Sequence, residues 1–317
     1  MLDLTVVIVN YRTAELAIEA LRSLEPELAQ RGSARVCVVD NASGDGSAER
    51  LDAAIRSHRW SSWVTLLALA ENGGFGAGNN AALRPALERP AASPAAFLLL
   101  NPDTVVRPGA VGCLLDFLAE HPRAGIVGPR LEDPDGTPQR SSFRFPSLRG
   151  ELEQGLRLGL LSRLLARHVV APPVRDDAHA TDWLSGACLL VRREVLERIG
   201  LFDERYFLYF EETDLCRRAR DHAFECWQVP SARVVHLVGQ STARPGAPPR
   251  RSQAWLASRR HYFRTHHGRL ALLAADLIWS AAYASWRVRR VLQRKPDPDP
   301  PAYLADFVRY NLLGRRS

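Results

Sequence analysis

The first 130 residues predict a parallel, doubly wound α/β sheet flanked by helices. Three observations carry that expectation. Short runs rich in β-branched residues alternate with helical patterns, which is how βα units read in sequence. The ends of four of those runs, NY, DNASGDGS, ENGGFGAGNN and NPDT, are all polar or glycine-rich. Ligands of such sheets bind beyond the C-terminal strand ends. Finally, 317 residues at 46% hydrophobic and 24% charged can bury a substantial core.

The elements follow in order. Strands are expected at Leu4–Val9, Arg35–Val39, Val64–Leu69, Ala96–Leu100 and Gly125–Val127. Between them, helices are expected at Ala14–Leu24, Ser47–Ser57, Asn79–Leu87 and Pro108–Glu120. Pro108 suits a first helical turn, where its missing N–H costs nothing. After residue 130 the pattern changes. EDPDGTPQ carries a DG turn signal, and 150–168 reads as helix. TDWLSGACLLVR (Thr181–Arg192) reads as one strand, followed by a short helix ending at Gly200. A helix from Thr213 to about His222 precedes two strands, ECWQV and RVVHL. Residues 250–294 read as two helices broken near Gly268, and PDPDPP is a stiff linker before a short terminal helix. This divides the chain into 1–242, with a break near 130, and a helical extension over 243–317.

Charge and cysteines narrow the setting. The net charge is +7, yet Arg250–Lys295 alone holds eleven basic residues against one acid, Asp276. The remainder is slightly acidic, so the basic character is local and argues against a nucleic-acid-binding body. Five widely spaced cysteines without CxxC argue against a disulfide framework or zinc site and fit a reducing cytosol. No signal peptide is expected, and no run of 18 apolar residues occurs. Trp279, Tyr283 and Trp286 stand at helical spacing on an apolar stretch with arginines at both ends. That arrangement suits peripheral contact with an anionic membrane, or else a packed helix or a homodimer face.

Five stretches could carry chemistry. In VVDNASGDGS, Asp40 ends a strand where it could accept from a nucleobase or sugar hydroxyl; the stretch also reads as a capped turn. In NGGFGAGNN, a glycine-rich turn opens a helix, so its N–H groups could face an anion. It contains Gly76-x-Gly78-x-x-Ala81, a weak match to the dinucleotide fingerprint that would suit a nicotinamide-dependent oxidoreductase. In FLLLNPDT, Asp103 could hold a divalent cation completed by diphosphate oxygens and water, or simply turn the chain. In FDERYFLYFEETDLCRRARD, Glu211, Glu212 and Asp214 follow an aromatic run that could desolvate a general base; acids at a helix start also fit its dipole. His236, at the end of RVVHL, could be a metal ligand or a structural histidine.

Together and in this order, VVIVNY, VVDNASGDGS, NGGFGAGNN, LLLNPDT, WLSGACLLVRREVLERIGLFDERYFLYFEETDLCRR and VVHLVGQS resemble glycosyltransferase family 2, in its rhamnosyltransferase-like branch. The resemblance spans roughly residues 4–242. It implies a GT-A fold, a Rossmann-like mixed sheet flanked by helices. It also implies a nucleotide-sugar donor (dTDP- or UDP-linked), a divalent cation (Mn²⁺ or Mg²⁺) and inverting transfer. Rhamnose is the expected sugar, and a cell-envelope glycan or polyprenyl-linked molecule the acceptor. The chain would then work in the cytoplasm, at the inner face of the cytoplasmic membrane. By the same resemblance Asn10, Asp40, Asn72, Gly74, Phe75, Asn79 and Asn101 hold the donor, and Asp103 and His236 the metal. Trp183, Gly186 and Ala187 face the acceptor, and the base is Glu212, with Glu211 and Asp214 as alternatives. The nucleotide half is 1–130 and the acceptor half 131–242. Asn101 stands where relatives of the wider fold carry a first Asp, and Glu212 where Asp is common. A non-catalytic glycan-binding scaffold on the same fold is the other alternative.

Overall fold

The structure is a computed structural model that describes residues 3–29, 34–88, 95–237 and 250–314. In chain order its elements begin with β1 (Leu4–Asn10), α1 (Ala14–Ala29), β2 (Arg35–Asp40), α2 (Ser47–Ser57), β3 (Val64–Ala68) and α3 (Phe75–Leu87). Next come β4 (Ala96–Leu100), β5 (Thr104–Val106), α4 (Ala110–Glu120), β6 (Ala124–Glu132) and β7 (Ser142–Phe143). Two short helices, α5 (Leu148–Leu156) and α6 (Gly159–Leu164), precede β8 (His179–Thr181), β9 (Trp183–Leu184) and β10 (Cys188–Arg192). The chain continues through α7 (Arg193–Ile199), α8 (Glu211–Asp221), β11 (Glu225–His236), α9 (Gln253–His266), α10 (Gly268–Leu292) and α11 (Tyr303–Asn311).

Two compact units result: Met1–Phe143, Pro173–Phe207 and Glu211–Ala243 form one; Arg144–Pro172, Leu208–Phe210 and Arg244–Ser317 form the other. The expected boundary at 242/243, and the VGQS end of the histidine motif, lie outside the described residues.

The first unit is built on a mixed sheet in the order β3-β2-β1-β4-β10-β6-β11-β5, with β8 beside β11. β1 to β4 run parallel, as the βα rhythm requires. β10 is antiparallel to both β4 and β6, and β5 to β11, which a purely parallel reading misses. β4 is buried along its whole length, so it reads as a continuous apolar run rather than an alternating one. The strand order reverses beside β1: the chain moves outward to β2 and β3, then returns to add β4 on the other side. That reversal opens a crevice at the C-terminal ends of β1 and β4.

Three local expectations change. Thr181–Arg192 is not one strand: Thr181 ends β8, a bend at Asp182 separates it from β9, and the turn through Gly186 and Ala187 separates β9 from β10. Conversely, ECWQV and RVVHL are one strand, β11, with its register shifting between Val229 and Arg233. Pro230, which has no N–H to pair, sits in that shift. The helix expected over 150–168 breaks at Arg157, which is left-handed at φ 49°.

The second unit is helical. Leu256, Trp279, Tyr283, Tyr303 and Phe307 form its core, with Trp279 and Tyr283 stacked at 4.7 Å. These aromatics therefore face inward, and the membrane role expected from their spacing does not belong to them. Arg259 is fully buried, bonding Asp276 at 2.6 Å and Glu151 at 2.8 Å. The PDPDPP linker is fastened: Asp299 takes both Arg157 and the Tyr283 hydroxyl. No helix among the described residues is long and apolar enough to cross a membrane.

Candidate active site

The site begins where β1 and β2 end side by side, with Asn10 opposite Asp40. Asn10 donates to Asp40 Oδ1 at 2.7 Å, and the Ser43 hydroxyl donates to the same oxygen at 2.6 Å. The Ser43 N–H donates to Asp40 Oδ2 at 3.1 Å. Asn10 Oδ1 in turn accepts from the N–H and hydroxyl of Thr13. Asp40 is buried and first of all organises this turn. A carboxylate offers about four acceptor positions, so one remains for a ligand. Tyr11, partly exposed, presents its ring beside this turn with the Arg12 guanidinium 5.1 Å from the centroid.

The glycine-rich turn is locked from within. Asn41 Nδ2 donates to Asn72 Oδ1 and to the Gly74 carbonyl, both at 3.0 Å, and Asn72 Oδ1 also accepts the Gly74 N–H. Gly74 has φ 91°, and a Cβ there would stand 2.1 Å from the Phe207 carbonyl oxygen. That same oxygen accepts the Phe75 N–H at 3.0 Å, so the first amide of α3 is engaged by protein. Asn79 is buried and turns its amide back onto the Phe75 carbonyl. A Cβ on Gly78 would come within 2.7 Å of Val9, so the glycine that suggested a dinucleotide fingerprint lets α3 approach β1.

β4 leads into the third group. The Asn101 N–H donates to the Ala187 carbonyl at 2.9 Å, and its own carbonyl accepts from the Thr104 hydroxyl. This ties the NPDT turn to the SGA turn. β5 then pairs with β11, setting Thr104 opposite His236. His236 Nε2 lies 3.6 Å from Asp103 Oδ1. Burial holds the imidazole below its ordinary pKa, against the opposing pull of Asp103 and Asp133, so it is neutral and able to ligate at pH 7. Two ligands of one cation, each about 2.1 Å from it, can stand about 3–4 Å apart, so this pair fits a shared divalent ion. No cluster of three or more metal-ligating side chains occurs among the described residues. Further ligands would have to come from a phosphate-bearing substrate and water, as is usual for magnesium.

α8 supplies the carboxylates. It is preceded by two non-glycine residues in the left-handed region, Tyr209 (φ 71°) and Phe210 (φ 69°), a conformation that costs energy and gathers at functional sites. Glu211 Oε2 and Glu212 Oε2 are both buried without a hydrogen-bond partner among the described residues. Burial pushes Glu212 up to about 7, against bonds from its own N–H and that of Thr213. Burial, and then the charge of Glu212, hold Glu211 well above the carboxylate range. Asp214 differs: Arg218 binds it at 2.8 Å and continues to the Ile199 and Leu201 carbonyls, so it fastens α8. A Cβ on Gly186 would lie 3.7 Å from Glu212 and from the Phe75 ring. Trp183 stacks on Phe143 at 4.3 Å.

The fold thus gathers Asp103 with His236, Asn101 with Ala187, and Gly186 with Glu212 and Phe75. It turns Asp214 to Arg218 and Trp183 to Phe143. Asn41 and Ser43, which the sequence marks only as turn builders, and Asn80, which it marks only as crowding a helix start, also build the site. The last binds the Phe202 backbone through both amide atoms, fixing the loop that leads toward Phe207. Its neighbours in NGGFGAGNN were the available signal.

The model of Glycosyltransferase like family 2 matches residues 3–264. The chain is a family 2 glycosyltransferase. Curated relatives of this glycosyltransferase include N-acetylglucosaminyl-diphospho-decaprenol L-rhamnosyltransferase of Mycobacterium tuberculosis, 33% identical over 77% of this chain and 79% of that protein. Another is a low-salt glycan biosynthesis hexosyltransferase of Haloferax volcanii, 28% identical over 74% of this chain and 67% of its own length. Among solved structures, the mannosyltransferase PcManGT of Pyrobaculum calidifontis with GDP-Man and Mn²⁺ superposes at a TM-score of 0.59 and 17% identity, covering 99% of this chain and 88% of its own. GalNAc-T7 with UDP, GalNAc and Mn²⁺ reaches 0.58 at 16%, covering 98% of this chain and 55% of its own. The shared architecture is the GT-A fold. The oxidoreductase and scaffold alternatives find no support in these relatives.

Proposed function

We propose that the glycosyltransferase moves rhamnose from a dTDP-linked donor onto a polyprenyl-linked or other cell-envelope acceptor, with inversion. The observation that carries the mechanism is Glu212, a buried carboxylate with an unpartnered oxygen and a pKa of about 7. A base of that pKa can take a hydroxyl proton at neutral pH and is half ready to do so. Glu212 accepts the acceptor hydroxyl's proton as that oxygen attacks the anomeric carbon and the nucleoside diphosphate departs from the opposite face. The Gly186 turn lies beside Glu212, where even a Cβ would come no nearer than 3.7 Å, so it leaves room for the acceptor. Asn10, Asp40 and the Asn41–Asn72–Gly74 lock shape the donor's nucleotide end.

Asp103 and His236 would hold a divalent cation together with the donor diphosphate; bound there, it would stabilise the charge of the leaving group. Two protein ligands and a neutral Asn101 favour a cation that arrives with the nucleotide rather than before it. The curated relatives, named for rhamnosyl and hexosyl transfer, one on a diphospho-decaprenol acceptor, support the sugar and acceptor classes. Such an acceptor implies work at the inner face of the cytoplasmic membrane. The test is a thermal-shift and transfer panel of dTDP-rhamnose, UDP-sugars and GDP-mannose, each with and without Mn²⁺. Stabilisation and transfer selective for dTDP-rhamnose support the reading; selectivity for another donor refutes the sugar while leaving the family intact.

A further inference from the structure

The helical unit carries a cavity of about 390 Å³, and none of the residues that line it is among those assigned to sugar transfer. Arg260, Arg264 and Arg269 line it, together with Leu273, Asp276 and Asn311. Its charges do not cancel. Asp276 is committed to the buried Arg259, which also holds Glu151. Two guanidiniums, Arg259 and Arg260, therefore offset two carboxylates. Arg264 and Arg269 remain, and among the described residues neither makes an ion pair. Asn311 is 8% exposed, yet neither its Oδ1 nor its Nδ2 has a hydrogen-bond partner among the described residues. Its backbone carbonyl takes Arg260 at 3.3 Å. An amide buried without partners costs energy unless something fills it.

α10 runs along the same cavity and leaves one face uncovered. Leu270 (84% exposed), Leu273 (50%), Leu277 (52%), Val288 (62%), Val291 (64%) and Leu292 (77%) fall within one stripe at 3.6 residues per turn. Leu273 belongs to both the stripe and the cavity wall. A cavity rimmed by arginines without ion pairs among the described residues thus borders an apolar strip that runs from Leu270 to Leu292.

We infer that the cavity binds the phosphate of an anionic phospholipid in a bilayer while the α10 stripe lies in its acyl boundary. Two guanidinium forks suit phosphate oxygens better than point charges would. Asn311 Nδ2 supplies one more donor, and its Oδ1 accepts from a headgroup hydroxyl. Leu270, Leu273 and Leu277 bury beside the headgroup, as in an interfacial helix that lies on a membrane without spanning it. A soluble anion would leave the stripe uncovered, and a second copy of this chain would leave the arginines unmatched.

The test uses the full chain with phosphatidylglycerol vesicles against phosphatidylcholine vesicles in a flotation assay at low and high salt. The expected result is binding to phosphatidylglycerol that weakens with salt. The R264Q/R269Q variant should lose about 30-fold in partition, roughly fivefold per arginine. L273E/L277E should stay at the bottom of the gradient, and far-ultraviolet circular dichroism should show both variants folded. Equal partition onto both vesicles, or wild-type partition by R264Q/R269Q, overturns the proposal. Arginine-dependent stabilisation by glycerol phosphate without vesicle binding identifies a soluble anion instead and also overturns it. So does a concentration-dependent dimer that L273E/L277E dissolves. Sugar transfer to a soluble acceptor reports the transferase reading separately, because these residues lie outside its machinery.

Discussion

Glu212→Gln separates catalysis from stability in opposite directions. In the folded chain the Glu212 carboxyl titrates at about 7, against 4.5 without the fold. That difference corresponds to about 3 kcal/mol. Its sign follows from linkage. A group whose folded pKa is raised favours the folded state fully below its unfolded value, and that support is lost as pH rises through the folded one. At pH 8 the wild type must ionise Glu212 inside the site, whereas glutamine has nothing to ionise. Glu212→Gln is therefore expected to be more stable than wild type at pH 8, by up to about 3 kcal/mol, and equal near pH 4.5. Urea unfolding at the two pH values measures this. The same change removes the proposed base, so kcat should fall by about 10²–10⁴, with donor affinity intact. In the wild type, kcat/KM should rise through pH 7 and level off above it. Near-normal turnover in Glu212→Gln with unchanged donor binding would show that another group is the base. Equal stability at pH 8 would show that the carboxyl is not held neutral by burial.

Further outcomes follow from the same contacts. Asp103→Asn should abolish the Mn²⁺-dependent part of a dTDP thermal shift while leaving the metal-free shift nearly unchanged; Mn²⁺ alone should stabilise the wild type little. Gly74→Ala should cost well over 1 kcal/mol, read as a lower urea midpoint, because its Cβ would enter the Phe207 carbonyl. Arg259→Met leaves Glu151 and Asp276 without their cation and should destabilise by about 3–5 kcal/mol, with the loss confined to the helical unit in hydrogen exchange. Asp214→Asn should lower stability through the Arg218 anchor and slow turnover far less than Glu212→Gln.

The sequence by itself determined the βα rhythm, because apolar period and turn chemistry are local properties. β1 to β4 stand where alternation and polar strand ends placed them. The order of short motifs was likewise enough to name the family: most of them sit at strand ends, and the Glu211–Asp214 acids open helix α8. What lay beyond local pattern was decided by pairing across long separations. Thr104, Val105 and Val106 are β-branched, but three residues are too short to read as a strand by themselves; they pair with Val234–His236, and that pairing is what sets Asp103 beside His236. Asp214 and Glu212 are equivalent in sequence, two acids in one helical turn. They part only in three dimensions, where Arg218 reaches one and burial isolates the other. The C-terminal aromatics show the same limit. Their spacing described an amphipathic helix, but spacing does not say which face is covered. Packing against Tyr303 and Phe307 turned Trp279 and Tyr283 inward and left leucines and valines outside, because burial depends on neighbours far away in the chain.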